Sequence, residues 1–263
     1  CGTAFDDGDE RAFAHALRIV VGAGGRLRQV HLGDRPRDGG PEWGDYPRVR
    51  ETLQRWGLSL DGMAVEKVLA ATPGDVAEGL LFASRLQPTD LIVLATSARS
   101  GVARLVHGSV AESVLEGTHS TPILLLPPGA GFVDPASGRI QMRHVLAPVA
   151  SPPGYRPLLL QCQRLMLSLG VSGVSGRVLH FEGSGGGLDG STLPAGPIEW
   201  ELSVRSTAGD VEETLLEEIR KTSPDLVVMT TAGPHGLTGL LRGSVTERIL
   251  RQASCPVLAL ARH

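Results

Sequence analysis

Residues 63–126 read MAVEKVLAATPGDVAEGLLFASRLQPTDLIVLATSARSGVARLVHGSVAESVLEGTHSTPILLL, and residues 198–260 read IEWELSVRSTAGDVEETLLEEIRKTSPDLVVMTTAGPHGLTGLLRGSVTERILRQASCPVLAL. The two stretches match at a constant offset, because Gly108-Ser109 and Gly243-Ser244 are separated by 243 − 108 = 135 positions, as are Asp90 and Asp225. Stacked repeat proteins have periods of roughly 20–50 residues, so a unit of this length indicates a duplicated domain. We therefore predict one domain over residues 1–130 and a second over residues 140–263.

Both halves alternate between strand-like and helix-like segments. In the first half, strands are predicted to end near Phe5 and to span 28–32, 63–69, 91–94 and 122–126, with helices after the acidic cluster 6–10 and at 48–56, 72–85 and 109–116. In the second half, strands are predicted at 145–149, 177–181, 198–204, 225–230 and 256–260, and helices at 155–169, 210–221 and 244–252. The glycine-rich segment 183–197 replaces the second helix and is predicted to be a loop. This order indicates βαβ units and a mostly parallel sheet, although Pro148 argues mildly against a central position for its strand.

Composition limits the class of protein. The chain is 41% hydrophobic and 20% charged, with a formal net charge of −3, so it is neither disordered nor basic enough to favour nucleic acid. Three cysteines, Cys1, Cys162 and Cys255, show no CxxC spacing and suggest neither a disulfide framework nor a zinc site. No apolar run approaches the roughly 20 residues that span a bilayer. We expect a soluble cytoplasmic protein, and we interpret the opening Cys1 as a truncated start rather than a lipidated terminus.

A candidate phosphate site follows the fourth strand of the second half. Thr230 lies at the end of that strand and Gly233 follows it. After nine intervening residues, Gly243 and Ser244 open a helix. Backbone N–H groups at a helix start can hold phosphate oxygens, and open parallel sheets bind ligands at the carboxyl ends of their strands. Ser244 has a second interpretation, as an ordinary N-cap with Gly243 in the preceding turn.

Several segments resemble one known family. The stretch 101–115 with 121–126, and the stretch 240–250 with 254–258, look like the C-terminal part of a universal stress protein domain. The resemblance implies an α/β fold of the adenine nucleotide alpha hydrolase-like class. It implies two tandem open parallel five-stranded sheets in the order 3-2-1-4-5, with helices on both faces. It also implies that the two halves pair through their last strands as an internal dimer.

The same resemblance implies a nucleotide site. Many members bind ATP through an aspartate after the first strand and a motif of Gly, two residues, Gly, nine residues, Gly and Ser/Thr, whereas others lack the motif and do not bind it. In the first half, Asp7, Gly108 and Ser109 match this pattern, but Ala95 and Ala98 replace the first two glycines.

In the second half, Gly233, Gly243 and Ser244 are retained, Thr230 replaces the first glycine, and Ala150 stands in place of the aspartate. The candidate nucleotide-binding residues are therefore Thr230, Gly233, Gly243, Ser244, Asp7, Gly108 and Ser109, with ATP and Mg²⁺ as the implied ligands. The second half is the better candidate for phosphate contacts.

The resulting hypothesis is a tandem stress-response binding or regulatory protein that holds an adenine nucleotide in at least one domain. The alternative is an interaction or scaffold protein with degenerate clefts, acting through a protein partner that the sequence does not identify. An enzyme has the least support, because the histidines are scattered and Ser97 and Ser100 have no identifiable base. We assign no catalytic or metal-binding residue, and a weak ATPase activity and a further homodimer stay open.

Overall fold

The computed structural model describes residues 1–3, 8–32, 48–70, 75–96, 110–118, 121–149, 155–181, 188–206, 211–232, 249 and 253–262. The strands are β1 Gly2–Thr3, β2 Arg26–Leu32, β3 Ala64–Ala70, β4 Ile92–Ala95, β5 Ile123–Leu126, β6 His144–Val149, β7 Val174–Phe181, β8 Ile198–Arg205, β9 Leu226–Ala232 and β10 Val257–Arg262. The helices are α1 Gly8–Ala23, α2 Val49–Trp56, α3 Val76–Leu86, α4 Val110–Gly117, α5 Tyr155–Leu169 and α6 Val211–Thr222. The predicted helix at 244–252 falls outside the described residues except for Ile249.

The sheet of the second half has the predicted order. Its strands run β8-β7-β6-β9-β10, and every neighbouring pair is parallel. Counted within that half, the order is 3-2-1-4-5. The carboxyl ends of β6 and β9 therefore meet where the strand order reverses, which is the usual ligand position in such sheets.

In the first half, the described strands form two groups that follow the predicted order 3-2-1 and 4-5, and the residues directly after β1 lie outside the described residues. Strands β1, β2 and β3 make a three-stranded sheet, whereas β4 and β5 belong to a seven-stranded sheet with the second half. Within the described residues, β1 pairs with β2, and Gly2 packs against the side chain of Leu94 of β4. The link between halves is antiparallel pairing of β5 with β10, in which Leu124 lies opposite Leu258.

One hydrophobic core is shared by the two halves. Leu17 of α1 and Leu124 of β5 belong to the same buried cluster as Met166 of α5 and Leu258 of β10. Helices α1 and α5 cross closely, because a Cβ atom on Gly22 would lie 1.7 Å from the carbonyl oxygen of Ser168. Glycine at this position lets the two backbones approach. The duplicated halves thus meet through both a strand pair and a helix pair.

Local capping explains two helix boundaries. The prediction began the third helix at Thr72, but α3 begins at Val76 because Asp75 is its N-cap and accepts a hydrogen bond from the backbone N–H of Ala77 at 2.9 Å. Helix α2 ends at Gly57, whose φ of 67° is left-handed and whose N–H bonds back into the last turn. These signals are readable in the sequence to within a few residues.

The segment between the halves is an ordered turn that docks on the first half. Asp134 organises it, because its side chain accepts from the backbone N–H of Ala136 and its carbonyl oxygen accepts from Gly138 at 2.8 Å. Trp56 of α2 donates its indole N–H to the carbonyl oxygen of Pro135 at 3.0 Å. Gly138 has a φ of 68° and leaves no room for a Cβ beside the Trp56 ring. The connection is therefore a packed element rather than a solvated linker.

Candidate functional site

The candidate site is the gap between β6 and β9 at the carboxyl edge of the sheet. Among the described residues, these strands pair through Val145 with Leu226 and Leu146 with Val227 and no further. Strand β6 continues to Val149, while β9 continues to Ala232 paired with β10. The two central strands therefore lose their mutual ladder before they reach the edge at which a ligand would bind.

Pro148 explains where the ladder ends. The backbone N–H of Asp225 donates to the carbonyl oxygen of His144 at 2.9 Å, so residue 144 faces β9. Alternate residues of a parallel strand bond to the same neighbour, and Pro148 therefore presents its nitrogen to β9 without a hydrogen to donate. The mild sequence argument against a central strand was wrong, because β6 lies in the middle of the sheet and Pro148 occupies the end that has already left β9.

Asp225 secures the other end of β6. Its Oδ2 atom accepts hydrogen bonds from the backbone N–H groups of Arg143 at 2.7 Å and His144 at 2.9 Å. A carboxylate that holds two backbone donors fixes the entry of the strand. The Asp225-Leu226 pair served only as a marker of the repeat in the sequence, and the structure gives it this anchoring role.

A histidine that sequence reasoning missed lies at the lip of the gap. The ring of His180 on β7 is buried, and its Nδ1 atom is 3.1 Å from the carbonyl oxygen of Val149, so the ring N–H donates there. In the first half, His31 is also buried and lies opposite Thr3, as His180 lies opposite Val149. The repeat did not reveal this match, since the two histidines are 180 − 31 = 149 positions apart rather than 135.

The two halves differ at the position two residues before these histidines. Gln29, two residues before His31, is fully buried, and neither of its side-chain amide atoms has a hydrogen-bond partner among the described residues. The matching position before His180 is Val178, which packs in the shared core. An amide thus occupies the first half where the second half has an ordinary apolar contact.

Hydrogen bonds hold the segment that precedes β8 against α5. The hydroxyl of Tyr155, the first residue of α5, bonds to the hydroxyl of Thr192. Asp189 caps the short 3-10 turn Gly190–Thr192, which lies within the predicted loop 183–197. Gln163 of α5 donates to the carbonyl oxygens of Pro194 and Ile198 and accepts from the Ile198 N–H at 3.0 Å. This buried glutamine therefore anchors the described part of the predicted loop, residues 188–197, to α5.

Of the seven site residues predicted from the sequence, Thr230 lies among the residues that the structure describes. It is half-buried on β9, in register with Leu260 of β10. The other six, Asp7, Gly108, Ser109, Gly233, Gly243 and Ser244, lie outside the described residues, as do Ala98 and Ala150. Ala95, which replaces a motif glycine, ends β4 opposite Leu126. The structure therefore positions the strands that lead to the site, and the assignment of its loop residues stays a prediction.

The thiols of Cys162 and Cys255 are not reactive groups. Burial raises the pKa of the Cys162 thiol, and burial together with the nearby Asp225 carboxylate raises the pKa of Cys255 to about 11. Both thiols are protonated near neutral pH and are poor nucleophiles. Within the described ranges, no group of three or more His, Cys, Asp or Glu side chains is arranged to hold a metal ion. None of the described helices is both long and apolar enough to traverse a bilayer.

Comparison with known proteins identifies the family. The sequence matches the Universal stress protein family over residues 1–127 and 195–261, which is most of the chain. The chain belongs to the universal stress protein family. A universal stress protein of Methanocaldococcus jannaschii is 38% identical over 64 residues, a match that spans 24% of this chain and 38% of that protein. The match covers well under two thirds of that relative.

Solved structures extend the likeness to the region that the family match omits. A universal stress protein from Archaeoglobus fulgidus superposes with a TM-score of 0.64 at 15% identity. The superposition covers 99% of this chain and 94% of the Archaeoglobus chain. A Pseudomonas aeruginosa protein of unknown function gives a TM-score of 0.60 at 13% identity, covering 95% of this chain and 86% of its own. At these identities the likeness shows the fold alone. The universal stress protein fold thus extends through β6, α5 and β7 of the second half.

Proposed function

We propose that this universal stress protein is a stress-response binding protein that holds an adenine nucleotide in the cleft of its second half. The observation that supports this most is the loss of the β6–β9 ladder after Leu146 and Val227, at the carboxyl edge of the sheet. Gly233 directly follows β9 in the sequence. The phosphate candidates therefore begin where the two central strands have separated.

The chemistry of this edge suits a phosphate. Gly243 and Ser244 are expected to open a helix after β9, and N–H groups at a helix start favour anions. Glycine at 233 and 243 would let a phosphate approach the backbone closely. ATP with Mg²⁺ is the ligand that this arrangement and the family resemblance favour, and the protein's role is then to bind and report nucleotide rather than to transform it.

The test is calorimetric titration of ATP and Mg²⁺ into the full chain at about 100 μM, where a dissociation constant near or below about 1 mM gives measurable heat. Gly243→Val should weaken binding by at least about tenfold, because a branched side chain obstructs the backbone approach. Gly108→Val, at the matching position 135 residues earlier, is the control and should leave binding unchanged. Absence of heat from the unaltered chain, or equal loss in both variants, would contradict the proposal.

A second candidate is an interaction protein whose clefts hold no nucleotide. Ala95 at the end of β4 and Thr230 near the end of β9 both replace motif glycines, and this favours the second candidate. Acid extraction of the purified protein followed by chromatography separates the two functions. Near-stoichiometric adenine nucleotide would exclude the second candidate, whereas a nucleotide-free protein that also gives no heat with ATP would favour it. Phosphate release above that of the Gly243→Val variant would be needed to support an ATPase.

A further inference from the structure

Helix α3 of the first half exposes two large apolar side chains on one face. Phe82 is 62% exposed and Leu86 is 66% exposed. They are four residues apart and therefore neighbours on the helix surface. The opposite face of α3 is buried through Ala77 and Leu81. Among the described residues of the first half, the packing of α3 leaves Phe82 and Leu86 largely exposed.

The duplicated half provides an internal comparison. Helix α6 begins 135 positions after α3, so that Phe82 corresponds to Glu217 and Leu86 corresponds to Lys221. Both charged residues are exposed on α6, whereas Leu216 is buried as its counterpart Leu81 is. The fold accepts charge at these two positions. The apolar pair is consequently a feature of the first half that the fold does not require, and it is a candidate for a contact surface.

The charges that flank the pair indicate which partner fits. Glu78 and Arg85 are both exposed on α3 and lie within one helical face with Phe82. They are seven residues apart, about 10 Å along the axis, which is too far for them to pair within one helix. Arg85 also donates to the carbonyl oxygen of Gly117 at 3.1 Å, which uses one of the five N–H groups of its guanidinium.

A second copy of the same helix would cover the apolar pair and supply partners for Glu78 and Arg85. When two α3 helices lie antiparallel about a two-fold axis at Phe82, residue 79 of one copy faces residue 85 of the other. Glu78 then lies within one residue, about 1.5 Å along the axis, of the arginine across the interface. The arrangement brings Phe82 against its symmetry mate, places each Leu86 about 6 Å along the axis from the Phe82 of the other copy, and forms two equivalent Glu78–Arg85 pairs. Self-complementary surfaces of this type are the rule in two-fold dimers.

We propose that the α3 face formed by Glu78, Phe82, Arg85 and Leu86 is the surface through which two copies of this chain associate. The interface is distinct from the internal β5–β10 pairing, and it does not depend on nucleotide binding. A contact between two single helices is small, so the dimer is a weak one with a dissociation constant in the micromolar range. Each association joins two tandem molecules into an assembly of four domains.

Sedimentation velocity of the full chain over about 1–200 μM tests the proposal. The unaltered chain should show a concentration-dependent shift from monomer to dimer. The double variant Phe82→Glu with Leu86→Lys carries the residues of α6 at the matching positions, and it should weaken association by at least about tenfold. Leu167→Lys on α5 is the control, because Leu167 is 64% exposed but lies outside the proposed face, and it should leave association unchanged.

A charge exchange tests the geometry independently of the apolar pair. Glu78→Arg alone and Arg85→Glu alone should each weaken the dimer several-fold, and the chain that carries both substitutions should recover it. Thermal melts of all variants distinguish lost association from lost folding. A chain that stays monomeric up to 200 μM, a dimer insensitive to positions 82 and 86, or a double charge variant that fails to recover would each overturn the proposal.

Discussion

We expect the two buried glutamines, Gln29 and Gln163, to affect stability in opposite directions. Gln163 makes three hydrogen bonds that hold the segment before β8, whereas Gln29 is fully buried with no partner for its amide in the described part of the chain. A buried amide left unpaired costs about 1–3 kcal/mol. Methionine has nearly the same shape, so Gln29→Met should raise the free energy of unfolding by about 1 kcal/mol, and Gln163→Met should lower it by about 2 kcal/mol.

Urea unfolding of both variants beside the unaltered chain measures these changes. If Gln29→Met destabilises the protein as Gln163→Met does, the amide of Gln29 stabilises the native state, and the prediction that it is a cost is wrong. Neither assignment could be made from the sequence, since a glutamine in a strand or a helix reads as polar and exposed. His31 and His180 were missed for the same reason, because a single histidine in an apolar strand is unremarkable until the register is known.

At the scale of elements, α1 is coupled to the connecting turn through His15. Its Nε2 atom accepts hydrogen bonds from the backbone N–H groups of Phe132 at 2.9 Å and Val133 at 3.1 Å, and its Nδ1 donates to the carbonyl oxygen of Arg11. Burial disfavours the imidazolium and lowers the pKa of His15 from 6.5 to about 4. Protonation would also place a third donor against two N–H groups.

The sign of the pH effect follows from this direction. The unfolded chain binds the proton more readily, so the stability contributed by neutral His15 is complete above pH 6.5 and is lost as the pH falls from 6.5 towards 4. The loss is at most about 1.4 kcal/mol per pH unit. His15→Gln removes the titration, and its stability should fall less steeply than that of the unaltered chain over this window. Parallel urea midpoints from pH 7.5 to 4.5 would contradict the assignment.

Most elements could be predicted from the sequence because their signals are local. Alternating and helical periodicity located α5 and β7, and the start predicted at Thr72 lies four residues before the observed start of α3 at Val76. The departures arise from contacts across the fold. The turn at Asp134 depends on α1 and Trp56, and the single sheet that joins β5 to β10 depends on how the two halves pack. For the candidate site, the strand ends were predictable, whereas the separation of β6 from β9 required knowledge of the direction in which Pro148 points.

At the scale of the whole molecule, the shared core and the β5–β10 ladder imply that the halves unfold together. Tandem domains with a small interface commonly unfold in separate steps. Here one buried cluster contains residues of both halves. Trp56 packs on the turn of the first half, and Trp200 packs on β7 of the second half. Two chains, one retaining Trp56 and the other Trp200 as the sole tryptophan, should therefore report the same urea midpoint.

A substitution where α1 and α5 cross tests whether equal unfolding midpoints of the two halves result from their contact. Gly22→Val places side-chain atoms where the carbonyl oxygen of Ser168 lies, so the helices must move apart. Such overpacking should lower the free energy of unfolding by about 2–4 kcal/mol and split the transition, with the Trp56 and Trp200 probes diverging. Gly25→Val is the control, because no atom lies within 4 Å of a Cβ built there. Different midpoints for the two probes in the absence of Gly22→Val would show that the halves are independent despite their common core.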